Sequence, residues 1–401
     1  MRRTVIILIA VIIVLAIAVG VYFGYQKSKG VISPTGTTQQ GTLPIGAGGT
    51  GSGGTTQGGG AITGGISTST SSEDAAYFQD QKQRLSILTT QPVVDYWMTV
   101  PKNASTTSQI FYLDRKGEVV QIIDAGKENV VASSSFGVPV KSLQNIDGSK
   151  VIVLFDSGTL AIFDTASKVW QALDSSISSF DFSPDGKSIV YIKPNGSQNS
   201  IYTQNIATTK KNLTLVATLN EQDLSVSWPS ANIIVIMPKP SYQFYGQAWY
   251  FNLKNNTLNS LGSGQGLDYV FSKKANYGLQ FISSDRSKVS VSIINDSGKK
   301  LADLPFYSLA EKCSFAQDAA VAYCAIPVLY TSDSVVLPDD YLKKATFTND
   351  SIYKIDLSSS VMDKVIDPAT ATIDATDLRA ASSTLLFVNR LDGMLYRFNM
   401  Q

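Results

Sequence analysis

Histidine is absent from all 401 residues. Its absence removes imidazole acid–base catalysis, Ser-His-Asp and Cys-His nucleophile systems, and every zinc site that needs imidazole. Cysteine occurs only twice, too few to build a zinc site alone. Neither sign of charge dominates, with 33 Lys and Arg against 32 Asp and Glu. Four of the basic residues, Arg2, Arg3, Lys27 and Lys29, flank an N-terminal apolar run, so the remainder is slightly acidic. That balance, with no local Lys/Arg cluster, lacks the electrostatic footprint of a nucleic-acid-binding surface. No motif implies a cofactor or a metal site. Catalysis by carboxylates, Tyr or Lys stays open, so an enzyme is disfavoured and not excluded.

Long apolar runs are also missing, with one exception. From Val5 to Phe23 the chain is apolar apart from Gly20, with Tyr22 and Tyr25 at the far end. At ~1.5 Å per residue such a run spans roughly 28 Å, close to the hydrocarbon core of a bilayer. Residues 4–25 are therefore expected to be a single transmembrane helix behind a short cytoplasmic tail, 1–3. Ala16-Ile17-Ala18 resembles a signal-peptide cleavage site, which keeps a cleaved leader as the competing reading. The run continues past it through Val19, Val21 and Phe23, which favours an uncleaved anchor. Arg2 and Arg3 with the amino terminus tip the orientation to N-in, placing the rest of the chain outside the cytoplasmic membrane.

Residues 26–73 read as a linker. Between Gly30 and Ser72 there are fourteen glycines and no charged residue. Nothing there buries enough apolar surface to offset the entropy of ordering. As a Gly-rich coil it would have an r.m.s. reach of roughly 35 Å.

From residue 74 to 401 the character changes to short β-rich runs, such as Lys150–Phe155 and Lys288–Ile293, separated by turn signals such as Ser157-Gly158, Asp185-Gly186 and Asp392-Gly393. Only Ala75–Arg84 has the makings of a brief helix. The segment Phe180-Asp181-Phe182-Ser183-Pro184-Asp185-Gly186-Lys187-Ser188-Ile189-Val190-Tyr191 resembles the F-S-P-D-G repeat of TolB-type and WD-repeat-like β-propellers, a repeat shared with prolyl-oligopeptidase-type propellers. Its physics is a strand, a tight Asp-Gly turn and a second strand with alternating apolar residues. Weaker copies are anchored at Trp97, Gln144, Trp228, Phe271, Phe315 and Leu378. With Phe182 they recur every ~40–50 residues, apart from one longer step before the last, as blades of four strands would. The resemblance implies an all-β fold, a seven-bladed β-propeller. A generic β-sandwich is the alternative.

The last blade offers three strands, near Asp374–Leu378, Leu385–Val388 and Met394–Phe398. Arg84–Thr89 has no partner in the first blade and fits as the missing outer strand, closing the ring and removing two open edges.

Cys313 and Cys324 fall on strands either side of the turn at Gln317-Asp318-Ala319-Ala320. They are placed for a cross-strand disulfide, which would suit an oxidising compartment; two reduced buried thiols are the alternative. Asp339-Asp340, with Asp333 and Asp350 nearby, lacks the spacing and glycine of a calcium loop and reads as surface charge. Two blades carry extra residues between their second and third strands. The fourth holds Tyr242, Phe244 and Tyr245; the sixth holds Tyr330, Asp339, Asp340 and Tyr341. Connections of that kind emerge on one face of a propeller. These residues are therefore the candidate binding face, unless they cover their own blades.

Propellers host scaffolds and enzymes alike. The expectation is an extracytoplasmic binding or scaffolding module at the cell envelope, anchored through its N-terminal helix and contacting a protein or envelope partner. The rival is a carboxylate-based glycan lyase or hydrolase. The G-x-S-x-G motif and hydrolase domain of oligopeptidase-type enzymes are absent. Acids converging on the central channel would favour the rival.

Overall fold

The computed structural model describes residues 72–100, 108–206, 212–273, 277–316, 320–330, 334–381 and 383–400. The expected membrane segment and nearly all of the linker lie outside them, as does the turn at 317–319. No helix among the described residues is long and apolar enough to cross a membrane.

Seven four-stranded antiparallel sheets make up the domain. Six are simple meanders in chain order, beginning with inner strands Asp95–Met98, Pro139–Gln144, Ser179–Phe182, Leu224–Ser230, Asp268–Phe271 and Cys313–Phe315. The seventh starts at Ala375–Ala381, continues through Thr384–Asn389 and Leu395–Asn399, and takes Leu85–Ile87 as its outer strand. Each of the seven sequence anchors lies on the inner strand of its own blade. Ring closure follows the expected pairing, with Leu85, Ser86 and Ile87 opposite Phe398, Arg397 and Tyr396. A helix, Ser72–Arg84, precedes the closing strand.

The core is divided into seven apolar layers, one between each pair of neighbouring blades. Strand periodicity explains why. In the second strand of blade 2, Val151, Val153 and Phe155 pack against Trp97 and Phe111 of blade 1. Ile152, between them, packs against Phe180 and Phe182 of blade 3. A strand covered on both faces reads as a continuous apolar run, as Lys150–Phe155 does. The tight turns set the approach of one blade to the next. Gly148 has φ +68°, and a Cβ there would stand 2.0 Å from the Met98 carbonyl oxygen of blade 1.

Cys313 and Cys324 are directly opposite in the blade 6 ladder and are bonded, with an S–S distance of 2.05 Å and Cα atoms 4.2 Å apart.

Candidate functional site

The two long connections meet. In blade 4 the chain leaves the second strand at Pro238 and re-enters the third at Tyr245. In blade 6 the connection runs from Tyr330 to Thr348 and contains a short helix, Asp339–Leu342. The Asp339 carboxylate accepts from the Ser241 hydroxyl at 2.7 Å and from the Tyr242 N–H at 2.6 Å. Blade 5, lying between them, is gripped as well. The Gly266 N–H donates to the Ser241 carbonyl, the Leu337 N–H to the Arg286 carbonyl, and the Ser283 hydroxyl to the Leu337 carbonyl. The result is a rigid roof over blades 4 to 6. Beneath it, Asp268, Glu311, Pro240, Pro338 and Leu342 enclose a cavity of about 10 Å³, room for roughly one water.

The expected binding-face residues divide into two sets. Phe244 and Tyr245 stand on the outside, 72% and 74% exposed. With Glu221, Lys239, Gln247 and Leu267 they border an open hollow of about 280 Å³. Tyr242 is half-buried at the base of this loop. The sixth-blade residues turn inward instead, which corrects the expectation of a second exposed aromatic patch. Tyr341 is fully buried under the Arg390 guanidinium, 3.7 Å from its ring, and its hydroxyl donates to Asp374. Asp339 is buried as the clasp between the two connections, and Asp340 caps its own turn by accepting from the Val336 N–H. Tyr330 is half-buried. Burial, and after it the charges of Asp350 and Asp374, push its phenol well above the ordinary range. A short apolar–acidic segment such as Pro338–Leu342 has no periodicity that tells its inner side from its outer, so the sequence carried no signal of this division.

A second group of charged residues faces the central bore. Asp268 of blade 5 and Glu311 before blade 6 line the same small cavity, and the positive charge of Lys141 on blade 2 favours the ionised form of each. Burial pushes the Asp268 carboxyl up to about 7 and raises Glu311 as well. Asp377 sits in a bulge of the blade 7 inner strand with φ +52° and opens on the bore. Bulges of this type re-aim a side chain out of the strand's alternation. The Tyr96 hydroxyl holds the bulge by donating to the Asp377 carbonyl at 2.5 Å. Protein surrounds the Asp377 carboxyl although it keeps solvent contact along the bore. Lost hydration raises its pKa, and Asp95 adds to the rise. Asp95 in turn takes Arg379 at 2.9 Å and the Ser142 hydroxyl at 2.5 Å.

A third group is sealed from water. Lys312, Asp350 and Asp374 are each 0% exposed, with Lys312 Nζ 2.6 Å from Asp350 Oδ2 and 2.7 Å from Asp374 Oδ1. Arg390 completes the set at 3.1 Å from Asp374 Oδ2. Two positive and two negative charges thus cancel inside the protein, as buried charges must. Long sequence separations left this group unseen; a lone Lys312 beside the buried Cys313 was the one hint. Asp350 is therefore an ion-pair partner and stands apart from the Asp339-Asp340 pair. No cluster of three His, Cys, Asp or Glu side chains placed to hold a metal ion occurs among the described residues.

No protein-family model matches this chain, and no curated protein matches it. Solved structures do resemble it. An oligogalacturonate lyase from Vibrio parahaemolyticus has a TM-score of 0.51 and 8% identity, covering 77% of this chain and 97% of that one. An oligogalacturonate lyase in complex with manganese has a TM-score of 0.48 and 10% identity, covering 79% of this chain and 90% of that one. At such identities the likeness is one of fold, and the chain folds as a seven-bladed β-propeller.

Proposed function

We propose that this chain is a membrane-anchored, extracytoplasmic binding module that engages a protein or cell-envelope partner through the outer side of its roof. The observation that carries the reading is the pair of adjacent aromatics, Phe244 and Tyr245, left exposed on a loop that Asp339 holds rigid. Exposed aromatics on a fixed loop lose little entropy on binding, and each is worth about 2 kcal/mol or more when it becomes a hot spot. Polar neighbours at the hollow's rim, Glu221, Lys239 and Gln247, supply orientation.

The test is crosslinking in the native membrane with a photoreactive residue at Gln243, which is exposed between the two connections' contact and the aromatic pair. A defined crosslinked product that disappears when Phe244→Ala and Tyr245→Ala are combined, with an unchanged melting temperature, supports the reading. A product that survives the double substitution refutes it.

A second reading has its own observation in three carboxyls: Glu311 acts on both Asp377 and Asp268, and burial raises all three. Carboxyls with raised pKa values serve as general acids near neutral pH, the chemistry a glycan lyase or hydrolase would need. Turnover of uronate-containing oligosaccharides that Asp377→Asn abolishes would favour this reading over the first.

A further inference from the structure

The sealed cluster of Lys312, Asp350 and Asp374 contains more than an ion pair. Lys312 ends a one-turn helix, Ala310–Lys312, at the entry to the blade 6 inner strand, and Asp350 lies on the third strand of that blade. With Nζ 2.6 Å from Oδ2, the amine nitrogen is in direct contact with the carboxyl group it would attack. The two oxygens of Asp350 are in different circumstances. Oδ2 receives the Ala375 N–H at 2.8 Å as well as Lys312, while Oδ1 is buried with no hydrogen-bond partner. Asp374 is a neighbouring base whose Oδ1 already accepts from Lys312 at 2.7 Å.

From this geometry we propose that Lys312 and Asp350 condense into an intramolecular isopeptide bond. The ammonium gives one proton to Asp350 Oδ2, the oxygen it contacts at 2.6 Å, leaving an amine and a carboxylic acid. Nζ then bonds to the Asp350 side-chain carbonyl carbon, and Asp374, already in contact with Nζ, takes a second proton from the nitrogen. The bond from that carbon to Oδ2 breaks, and Asp374 passes its proton to the departing hydroxyl, which leaves as water. Of the three ammonium hydrogens one stays on the amide and two leave with Oδ2, so no oxidant or other reactant is needed. Oδ1 becomes the amide oxygen.

Several features favour condensation over a standing ion pair. Holding both reactants in one place is worth effective molarities of roughly 10⁵–10⁸ M. All three side chains are fully buried, so no bulk water opposes the loss of water or reverses it. Charge stays balanced afterwards, because Asp374 remains paired with Arg390. Burial pushes the Asp350 carboxyl up, against the pull of Lys312, toward the acid form the reaction uses. At Asp374 burial is outweighed by Lys312, Tyr341 and Arg390, which keep it in the ionised form that can accept a proton. Asp374 is the poorer acceptor of the bond, since its oxygens also hold Tyr341, Arg390 and the Thr348 N–H. The product would join the turn that leads into the first strand of blade 6 to its third strand, beside the Cys313–Cys324 bond that joins its first and second.

The experiment uses the full chain, purified from its membrane, incubated for several days, reduced, denatured and digested. The expected result is a branched peptide linking Lys312 to Asp350, lighter than its two parts by one water, about 18 Da, in most chains. Asp374→Asn should leave most chains unlinked over the same period while the pair itself is retained. Separate Lys312 and Asp350 peptides of full mass in the unaltered chain overturn the proposal, and so does a branch ending on Asp374. Because the unaltered chain decides the matter, a variant that fails to fold leaves the test intact.

Discussion

Removing the closing strand tests the architecture most directly. Leu88 follows that strand and is 1% exposed, packed with Val93, Tyr96, Val388 and Leu395 in the layer between blades 7 and 1. Its N–H donates to the Leu395 carbonyl at 2.8 Å, and the Leu395 N–H returns to the Thr89 hydroxyl at 3.1 Å. Leu88→Ala creates a cavity costing about 3 kcal/mol, which lowers Tm by roughly 4 °C in a domain this large. Starting the chain at Pro92 also removes the ladder to Leu395–Asn399, at about 1 kcal/mol per bond, and exposes a sheet edge. The total is on the order of 6–8 kcal/mol, much of the 5–15 kcal/mol that stabilises a typical domain. Circular dichroism melts of the full chain, the Leu88→Ala chain and the chain from Pro92 measure both steps. If the chain from Pro92 melts within two or three degrees of the full chain, at about that precision, the strand closes nothing and the reasoning fails.

Protease added to spheroplasts should release the propeller by cutting between Gly30 and Ser72; resistance until the membrane is opened would refute the extracytoplasmic placement. Lys273→Met should cost about 3 kcal/mol in urea unfolding, because Lys273 neutralises the buried Asp181. An unchanged midpoint would show that Asp181 tolerates the loss. Asp268 supplies a pH test. Its folded pKa, about 7, lies above the unfolded value, so the folded state binds the proton more tightly. Its contribution is therefore full at pH values below about 4 and is lost as pH rises through 7. Asp268→Asn should make stability between pH 5 and 8 flatter by about 2 kcal/mol, and an unaltered pH profile would contradict the assignment.

Much of the fold was legible because the repeat unit is local. Within one blade the strands follow in chain order, so period-2 runs and Asp-Gly turns locate them, as the Ser183–Gly186 turn shows. There Asp185 accepts from Ser183 at 2.6 Å and the Gly186 N–H donates to the Ser183 carbonyl. The closing strand was legible by counting, since three strands imply a fourth. What the sequence hid lies between blades. Lys312 and Asp374 are 62 positions apart and meet only after blades 6 and 7 dock. The bulge at Asp377 leaves no mark in composition, and the inward turn of Tyr341 depends on Asp374 and Arg390, which lie in the next blade. At the roof the aromatic composition was the right cue for Phe244 and Tyr245. It failed for Tyr341, because a buried tyrosine needs only one hydroxyl partner and Asp374 provides it.

The helix ahead of the closing strand bears on mechanics. In a chain held at its N-terminus, any pull on the linker enters the domain through that helix before it reaches Leu85. Gln81 is buried there, donating to the Val365 carbonyl and accepting from the Asp367 N–H and the Thr370 hydroxyl. Arg84 donates to the Asn399 carbonyl and lies 4.8 Å from the centre of the Phe398 ring. The load is thus divided between blades 6 and 7 before the seam between first and last strands feels it. In a chain so held the helix would act as a strain relief, like the collar on a cable, and Gln81→Ala should make the ring open at a lower pulling force while its resting fold stays the same.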